Sequence, residues 1–321
     1  MKIAIIGAGL AGLTLASRLA DQHDVTVLEK ARGPGGRMST RRADPYAFDH
    51  GAQYFTAETD RFRAFLKDLE HKGLVSLWPE TIDLHYEARV SDKAKYVAQP
   101  GMNAICKALA ADLDVRSQCH ATAFRKDATG WQIDTKSGEA FGPFDWIVST
   151  APAEQTAALM PPDFAEQAAL ARVKMSGCFA LMLGFVVPPD LAWHALKSGK
   201  TPIGWMAVNS NKPARPGAFS LLIQSENAWA DVHLEDPSDA VHQTLLQSAS
   251  ELAGTDLSIA QHQVLHRWRY ASTPVPAGEP FLMDAEKQLA ACGDWCLGSK
   301  VEAAFSSASA FADEFLSLSK T

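Results

Sequence analysis

The first 29 residues, MKIAIIGAGLAGLTLASRLADQHDVTVLE, contain the clearest indication of the fold. A short apolar run breaks into a Gly-x-Gly-x-x-Gly turn at Gly7, Gly9 and Gly12 and continues into a helical pattern. A second apolar run follows and ends at Glu29. In strand–turn–helix–strand units of this kind, the first glycine permits the tight turn, the second lets the backbone approach a pyrophosphate, and the third lets the helix pack closely on the strand. The stretch therefore predicts a dinucleotide-binding site.

The same stretch predicts how a dinucleotide would be held. Free N–H groups at the N-terminus of the helix would bind the phosphates. Glu29 would accept hydrogen bonds from the adenosine ribose hydroxyls, and its charge would repel a 2′-phosphate there. The predicted contact residues of this stretch are Gly7, Ala8, Gly9, Leu10, Ala11, Gly12, Glu29 and Lys30.

Length and composition indicate a globular protein with either two domains or one elaborated α/β unit. The chain has 321 residues, of which 47% are hydrophobic and 21% are charged, without the bias that marks disorder. Its formal charge of −7 argues against nucleic acid or an anionic membrane surface as the main partner. The N-terminal apolar run differs from a signal peptide, because it is interrupted at Gly7 and has only Lys2 as a positive residue. No apolar run in the sequence reaches the roughly 18 residues that a membrane span needs. We therefore expect a soluble, cytoplasmic protein.

The five cysteines predict neither disulfides nor a metal site. They are odd in number and scattered along the sequence. Cys292 and Cys296 are separated by three residues, without a second pair or nearby histidines that would complete a zinc site. We expect reduced, mostly buried thiols and no bound metal.

Later segments return to the pattern of the first residues. The loop at 30–40 is rich in glycine and arginine, and the run at 146–150 is typical of a buried strand that stops before a proline. Near the end, residues 289–294 are typical of a short strand that ends in Gly-Asp, and apolar residues at helical spacing follow over 301–317. A chain that rebuilds its first domain in this way predicts a discontinuous domain.

The middle of the chain has a different character. Strand-like runs at 178–185, 203–208, 218–224 and 264–270 surround one helical pattern at 237–252, which predicts a mainly antiparallel sheet. We therefore predict two domains. Residues 1–60, 96–158 and 275–321 would form the domain that binds the dinucleotide, and residues 61–95 and 159–274 would form the substrate domain.

Together these pieces resemble the flavin-containing amine oxidase superfamily. The motifs that carry the resemblance are the Gly-x-Gly-x-x-Gly turn with Glu29, the Gly35-Gly36-Arg37 loop, the Pro100-Gly101-Met102 turn, the Asp145–Val148 strand with Ala151-Pro152, and Gly293-Asp294 before a C-terminal helix. Within the superfamily, residues 49–55 (DHGAQYF) and 268–270 (WRY) are most similar to the renalase family. The resemblance spans the whole chain. It implies an α/β fold with an FAD-binding Rossmann-like domain, of the glutathione reductase or p-hydroxybenzoate hydroxylase type, and a second, mainly antiparallel β-sheet substrate domain.

The later motifs favour FAD over a free nicotinamide cofactor. A plain NAD domain needs neither a second glycine–arginine loop nor a terminal Gly-Asp with a helix, whereas the flavin and ribityl chain of FAD extend well beyond the pyrophosphate. Arg37 and Arg32 can neutralise phosphate oxygens. By resemblance, Asp294 would hold the ribityl or pyrophosphate end, the Ala121 backbone would face the adenine, and the last helix would direct its positive end at the flavin. The further predicted FAD contacts are Arg32, Gly36, Arg37, Met38, Ala121, Asp294, Val301, Glu302 and Ala303.

The chain departs from the superfamily pattern at some positions. Ala303 and Ser307 stand where the superfamily commonly has glycine, which predicts a slightly different approach of the last helix to the flavin. No cysteine motif for a covalent flavin is visible, so we expect FAD to bind non-covalently. Lys174 lies near the region of the flavin-facing lysine of amine oxidases, but no motif supports that role.

The candidate substrate residues are Gln53, Tyr54, Trp268 and Tyr270. The first two could equally be packing residues. The two aromatic residues at 268 and 270 share one strand face, because side chains alternate along a strand, and could belong to the core or to the site. Arg269 would point the opposite way, to the surface or a domain interface. His50 fits a structural role better than a catalytic one, since nothing pairs it with a base or nucleophile.

The renalase resemblance implies a reaction that asks little of protein side chains. It implies oxidation of the 2- and 6-dihydropyridine isomers of NAD(P) to β-NAD(P)⁺, with the electrons passed to O₂ as hydrogen peroxide. A hydride leaves a ring carbon and the product becomes aromatic without losing another proton, so no general base is required. The absence of an acid–base pair, nucleophile or metal set is compatible with this reaction. Two alternatives stay open: oxidation of a small amine, for which no aromatic cage with a buried acid is visible, and a flavin-bearing sensor without turnover.

Overall fold

The computed structural model describes residues 1–79, 82–85, 88–200 and 202–318. The strands are β1 Lys2–Ile6, β2 Asp24–Glu29, β3 Thr40–Ala43, β4 Tyr46–Asp49, β5 Val75–Leu77, β6 Ile82–His85, β7 Tyr96–Ala98, β8 Asp114–Ser117, β9 Ala121–Asp127, β10 Gly130–Thr135, β11 Ala140–Phe144, β12 Trp146–Ser149, β13 Lys174–Gly184, β14 Ala195–Ser198, β15 Ile203–Val208, β16 Ser220–Ser225, β17 His262–Val275, β18 Leu282–Asp284 and β19 Leu289–Ala291. The helices are α1 Leu10–Leu19, α2 Asp60–His71, α3 Ala104–Ala110, α4 Ala153–Leu159, α5 Gln167–Arg172, α6 Asn227–His233, α7 Ser238–Ala253, α8 Asp294–Leu297 and α9 Val301–Leu318.

The chain divides into two compact units. Unit 1 consists of residues 1–37, 105–175 and 273–321, and unit 2 consists of residues 38–104 and 176–272. The predicted domains divide the chain at 60/61, 95/96, 158/159 and 274/275, whereas the compact units divide it at 37/38, 104/105, 175/176 and 272/273. The discontinuity of the first unit agrees with a chain that returns to its starting domain. Which unit binds which ligand stays a prediction.

Unit 1 is built on a six-stranded sheet in the order β18-β19-β12-β1-β2-β8. Within this sheet the described pairs β1–β12, β1–β2, β12–β19 and β2–β8 are parallel, and the edge pair β18–β19 is antiparallel. Strand β1 is an apolar run because all its residues after Lys2 are buried, as expected for a central parallel strand covered on both faces. Helices α1 and α9 pack together. This is the predicted α/β Rossmann-like architecture.

Unit 2 is built on a six-stranded sheet in the order β17-β13-β16-β15-β14-β6. The pairs β13–β16, β15–β16 and β14–β15 are antiparallel, and β14–β6 is parallel. Both faces of β13 are buried, so its apolar residues are continuous rather than alternating. On one face Leu181 and Leu183 lie in a core with Leu245 of α7. The mostly antiparallel second sheet confirms the predicted fold class.

The other face of the second sheet is covered by the β3–β4 hairpin. Tyr46 and Phe48 of the hairpin share a buried cluster with Met182 and Leu222. A Cβ on Gly184 would lie 2.7 Å from the Tyr46 ring, so this position requires glycine for close approach. The hairpin accordingly belongs to unit 2, as do the other residues of 38–60.

Among the described helices, none combines the length and apolar character needed to cross a membrane.

Candidate functional site

The three glycines of the first turn have three different surroundings. Gly7 has a φ of +103°, which favours glycine, and its N–H donates to the Leu28 carbonyl at 2.8 Å. A Cβ on Gly12 would lie 2.0 Å from the Gly7 carbonyl oxygen, whereas a Cβ on Gly9 would meet nothing within 4 Å. The turn is therefore closed at Gly12 and open at Gly9, the position where a pyrophosphate must approach the backbone.

The N-terminus of α1 fits a phosphate group. Gly9 is its N-cap and supplies no side-chain hydrogen bond to the first turn. Leu10 and Ala11, which begin the helix, are buried. The first N–H groups of a helix lack intrahelical partners and carry the positive end of the helix dipole. The donor set and the open side at Gly9 together fit the predicted dinucleotide.

Glu29 ends β2 beside the glycine turn and is buried. Its Oε2 accepts a hydrogen bond from the Ala8 N–H at 2.8 Å, and its Oε1 accepts one from the Ala31 N–H at 2.7 Å. Each oxygen keeps lone-pair capacity for a further donor, such as a ribose hydroxyl. Burial, with the Glu29 charge as a smaller cause, raises the pKa of Cys106 to about 12, so this neighbour stays a neutral thiol. Lys30 is exposed and donates to the Gln155 side chain at 3.0 Å.

The glycine–arginine loop lies against the first turn. The Gly35 N–H donates to the Ala8 carbonyl at 2.9 Å. Gly36, with a φ of +52°, would bring a Cβ within 3.4 Å of the Gly9 Cα. The loop therefore reaches the part of the turn where phosphates are predicted. In the same loop Arg32 is exposed and Met38 is buried.

Arg37 and Asp294, predicted separately as FAD contacts, form a bidentate ion pair. The Arg37 Nη1 lies 2.8 Å from Asp294 Oδ2, and Nη2 lies 2.5 Å from Oδ1. The side chains are 26% and 11% exposed, so the pair is partly open to a ligand. Each fixes the other's orientation, and the carboxylate offsets part of the positive charge that Arg37 would present to phosphate. Their contact with FAD stays a prediction.

Ser307 accounts for one departure from the superfamily pattern. Its Oγ accepts a hydrogen bond from the Gly293 N–H at 2.9 Å and donates to the Pro280 carbonyl at 2.6 Å. The serine thereby holds the turn that presents Asp294. At the start of α9, Val301 is partly exposed while Glu302 and Ala303 are buried. Ala121, at the start of β9, is also buried.

In unit 2 the predicted substrate residue Gln53 has both ends of its amide engaged. Its Nε2 donates to the carbonyls of Asp49, at 2.5 Å, and Gly51, at 3.0 Å. Its Oε1 accepts a hydrogen bond from Lys212 Nζ at 3.1 Å. Gln53 is 6% exposed. These contacts tie the amide to its own loop, and its contact with substrate stays a prediction.

Asp49 is the centre of a buried ionic cluster that the sequence analysis missed. Arg215 Nη2 lies 2.7 Å and Lys212 Nζ lies 3.5 Å from Asp49 Oδ2. Oδ1 accepts hydrogen bonds from Thr40 Oγ1 at 2.7 Å and the Met102 N–H at 2.9 Å. All three charged side chains are fully buried. The only sequence signal was two cations in the turn-like run 209–215, which is more typical of an exposed loop.

The charges of this cluster depend on one another. Burial alone would raise the pKa of Asp49, but the charges of Lys212 and Arg215 and the hydrogen bonds hold it below its ordinary value. Burial lowers the pKa of Lys212 to about 8, against the opposing effect of the Asp49 charge. Asp49 is therefore ionised at neutral pH, and its negative charge is balanced by the two buried cations, Lys212 and Arg215.

Two aromatic groups lie near this cluster in unit 2. In the first, Tyr54 packs against Trp78 and Trp205, with ring centroids 5.9 and 5.6 Å away. In the second, His50, His266 and Trp268 have ring centroids 4.5 to 5.1 Å apart. The Trp268 Nε1 donates to the His50 carbonyl at 2.8 Å. Tyr54 and Trp268 are partly exposed, as a stacking surface requires.

His50 is a neutral member of the second group. Burial, with smaller contributions from His266 and Arg41, lowers its pKa to about 4. Tyr270 is partly exposed on the same strand face as Trp268, but among the described ring contacts it joins neither group. Arg269 points the opposite way and pairs with Glu235 through Nη2 and Oε2 at 3.0 Å. Lys174, at the start of β13, is exposed.

Comparison with known families defines the class of protein to which this fold and site belong. Residues 5–69 match the NAD(P)-binding Rossmann-like domain. Residues 80–316, well over half of the chain, match the flavin containing amine oxidoreductase family. The fold is thus that of a flavin-dependent oxidoreductase, for which the family implies FAD. The chain belongs to the flavin-containing amine oxidoreductase family.

Individual relatives extend this result without fixing a substrate. The 4,4'-diapophytoene desaturases (4,4'-diaponeurosporene-forming) of Staphylococcus aureus strains Newman and USA300 are 52% identical over 52 residues. That segment is 16% of this chain and 10% of each desaturase, so the match spans about a tenth of the relatives' length. The crystal structure titled "Putative protoporphyrinogen oxidase", from Exiguobacterium sp. 255-15, matches with a TM-score of 0.76 over 98% of both chains. Its 12% sequence identity shows the shared fold alone.

Proposed function

We propose that this protein is an FAD-dependent oxidase of isomeric dihydro-NAD(P), the 2- and/or 6-dihydro forms, of the kind that the renalase resemblance implies. It would return β-NAD(P)⁺ and produce hydrogen peroxide from O₂. Non-covalently bound FAD would supply hydride acceptance at N5 and reoxidation by O₂. Family membership supports the flavin chemistry, and the motifs at 49–55 and 268–270 support the substrate class.

The ionic partners of Asp49 favour a dihydropyridine over an amine as the substrate. Among the described residues of unit 2, Asp49 is the only buried acid. Its two oxygens are engaged by Arg215, Lys212, Thr40 and the Met102 N–H. It therefore has no charge to spare for the ammonium group of an amine substrate. A neutral dihydropyridine needs no such counter-ion.

The aromatic groups suit a planar substrate ring. Tyr54 and Trp268 each present a partly exposed ring that is fixed by neighbouring rings. Aromatic rings stack on planar ligands in offset arrangements, and holding the reacting ring in place lowers the entropic part of the barrier. Conversion of a dihydropyridine to a pyridinium ring loses a hydride and no further proton. The neutral His50 and the occupied Asp49 are then not required as general bases.

The surroundings of Glu29 support FAD as the resident nucleotide and NAD(P) as the substrate. The Glu29 carboxylate lies beside the glycine turn and accepts the Ala8 and Ala31 N–H groups. A 2′-phosphate next to it would meet like charge. This turn and the adjoining Arg37–Asp294 pair suit the ADP half of FAD, so the nicotinamide of a second dinucleotide would bind elsewhere.

Anaerobic stopped-flow spectroscopy of the purified flavoprotein tests this proposal. The enzyme is mixed with 2-dihydro-NAD, 6-dihydro-NAD, their NADP counterparts, ordinary NADH and a panel of small amines, and bleaching of the flavin is followed. We expect rapid bleaching by at least one isomer, slow or no bleaching by NADH, and peroxide release when O₂ is admitted. Bleaching by amines alone would establish an amine oxidase instead. Absence of bleaching by every compound would favour a flavin-bearing sensor.

A further inference from the structure

Gln224 lies on the face of the second sheet that carries the aromatic groups. It is in β16, two residues after Leu222, so both side chains point to the same face. Leu222 is buried in the cluster beneath the β3–β4 hairpin, whereas Gln224 lies beyond that cluster and is partly exposed. In the strand register Gln224 is opposite Trp205, the partner of Tyr54 in the first aromatic group. A polar amide thus borders the stacking surface.

The orientation of the Gln224 amide is fixed by the Gly51 carbonyl. The Gln224 Nε2 donates to that carbonyl at 2.7 Å. Since a carbonyl only accepts hydrogen bonds, the NH₂ side of the amide must face Gly51. The Oε1 consequently faces away, and among the described residues nothing donates to it. Gln224 presents a fixed acceptor without a protein donor.

Gln53 gives an internal contrast. Its Nε2 also donates to the Gly51 carbonyl, but its Oε1 already accepts from Lys212 and the residue is buried. The two amides therefore share one anchor and differ in their acceptors. Gln53 is buried with its acceptor engaged, whereas Gln224 is partly exposed and its Oε1 has no donor among the described residues.

The position of Gly51 brings this acceptor near both aromatic groups. Gly51 follows His50, whose carbonyl accepts the Trp268 indole N–H, and Tyr54 is three residues further along. A planar ring stacked at Tyr54 or Trp268 would carry its substituent at the edge of the ring. A fixed acceptor at such an edge selects a substituent that has an N–H.

We propose that Gln224 is a specificity-determining residue whose Oε1 accepts a hydrogen bond from the carboxamide N–H of the substrate's pyridine ring. The inference rests on the proposed dihydro-NAD(P) oxidase function. It assigns a substrate class, dinucleotides with a primary carboxamide on the ring, to the acceptor at Gln224. A carboxylic acid at that position would set an anionic acceptor against Oε1, and a methyl ketone would leave Oε1 without a donor.

A ligand series on the FAD-loaded wild-type enzyme tests the inference without mutation. Dissociation constants are measured from the perturbation of the flavin absorbance spectrum by NAD⁺ and by its thionicotinamide, 3-acetylpyridine and nicotinic acid analogues. We expect the thioamide, which keeps the N–H, to bind about as tightly as NAD⁺. The acetyl analogue should bind about three- to tenfold more weakly, and the acid about tenfold or more. Equal binding of all four ligands would overturn the inference.

Two variants separate the role of Gln224 from general packing. Gln224→Met keeps the length of the side chain and removes the acceptor, so the acetyl analogue and NAD⁺ should bind this variant within about twofold of each other. The matched control is Gln263→Met in β17, where the native amide donates to the Ser258 and Ala260 carbonyls. The control should keep the wild-type series. A wild-type series in Gln224→Met would contradict the inference.

The proposed function and this inference fail in different ways. If no dihydro-NAD(P) isomer bleaches the wild-type flavin, the proposed function is wrong. If an isomer bleaches the flavin but the ligand series is flat, the function stands and the role of Gln224 is wrong. Should Gln224→Met lose FAD, the wild-type series alone still decides the outcome.

Discussion

Glu29 in unit 1 and Asp49 in unit 2 are both buried carboxylates, yet they are held by different partners. Glu29 accepts two backbone N–H groups, from Ala8 and Ala31. Asp49 is paired with two buried cations and also accepts hydrogen bonds from a hydroxyl and a backbone N–H. Neutral amide donors leave the charge of Glu29 available to a ligand, whereas the cations neutralise Asp49. Burial alone therefore does not distinguish the two acids; the charges of their partners do, and they favour Glu29 over Asp49 as an acid that could bind a ligand.

The largest effect is expected from Asp49→Asn. The substitution leaves Arg215 and Lys212 buried without a counter-charge, which should lower the free energy of unfolding by about 3–5 kcal/mol. Urea unfolding followed by fluorescence measures this change. The matched control is Asp134→Asn, which breaks the exposed pair with Arg125 and should change the free energy of unfolding far less, because solvent screens exposed pairs. An equal loss of unfolding free energy in both variants would mean that Asp49 is not needed to balance the charges of Arg215 and Lys212.

The dependence of stability on acid pH tests whether His50, the neighbour of Asp49, is neutral in the folded protein. The pKa of His50 is lowered from 6.5 to about 4 in the folded state, mainly by burial. Between these values the unfolded chain binds the proton and the folded chain does not, so stability falls as the pH drops from about 6.5 to about 4. The loss attributable to His50 should be about 2–3 kcal/mol.

Comparison of pH–stability curves for wild type and His50→Gln isolates this contribution. The variant should lose less stability over the acidic range, because its side chain does not titrate. His266 and His262 also have lowered pKa values, chiefly from burial, so a residual slope should persist in the variant. His71→Gln, at an exposed position at the end of α2, is the control and should follow wild type. Superimposable curves for all three proteins would exclude His50 as a source of the slope.

Sequence periodicity predicted the regular elements well where local signals were sufficient. The helix expected at 237–252 is α7, Ser238–Ala253, with a proline before it and Gly254 in a left-handed C-cap after it. The strand expected at 203–208 is β15 with the same bounds. Turn chemistry and apolar spacing act within a few residues, so they can be read from one chain.

The hairpin and the ionic cluster could not be predicted in the same way. The place of the β3–β4 hairpin in unit 2 depends on Tyr46 meeting Gly184, a contact between distant parts of the sequence. Lys212 lies beside Pro213 in a turn-like run, which predicts an exposed side chain, yet it is 2% exposed. Its burial depends on Asp49, and no local pattern encodes that pairing. The sequence likewise does not indicate that both ends of the Gln53 amide are hydrogen-bonded within the protein while the Gln224 Oε1 has no protein donor. Only the contacts in the structure show this difference.

Glu29→Gln should weaken FAD binding about ten- to a hundredfold, because charge-assisted hydrogen bonds to ribose hydroxyls would be lost. Titration of the apoprotein with FAD, followed by quenching of flavin fluorescence, measures the change. The amide has one acceptor where the carboxylate has two, so one of the Ala8 and Ala31 N–H groups would also lose its partner. Glu139→Gln, on an exposed turn, is the control. An unchanged FAD affinity in Glu29→Gln would mean that the Glu29 carboxylate does not contribute to FAD binding.

The smallest effect is expected from a substitution of Ser307, which does not touch the predicted ligand but holds the turn that precedes Asp294. Ser307→Ala removes the acceptor of the Gly293 N–H and the donor to the Pro280 carbonyl, which should cost about 1–2 kcal/mol of unfolding free energy. If the serine sets the position of Asp294, FAD affinity should also fall, by about two- to fivefold. The control is Thr244→Ala on α7, whose hydroxyl donates to the Ala240 carbonyl on an exposed surface. A stability loss in Ser307→Ala with unchanged FAD affinity would show that the serine stabilises the turn but that FAD binding does not depend on it.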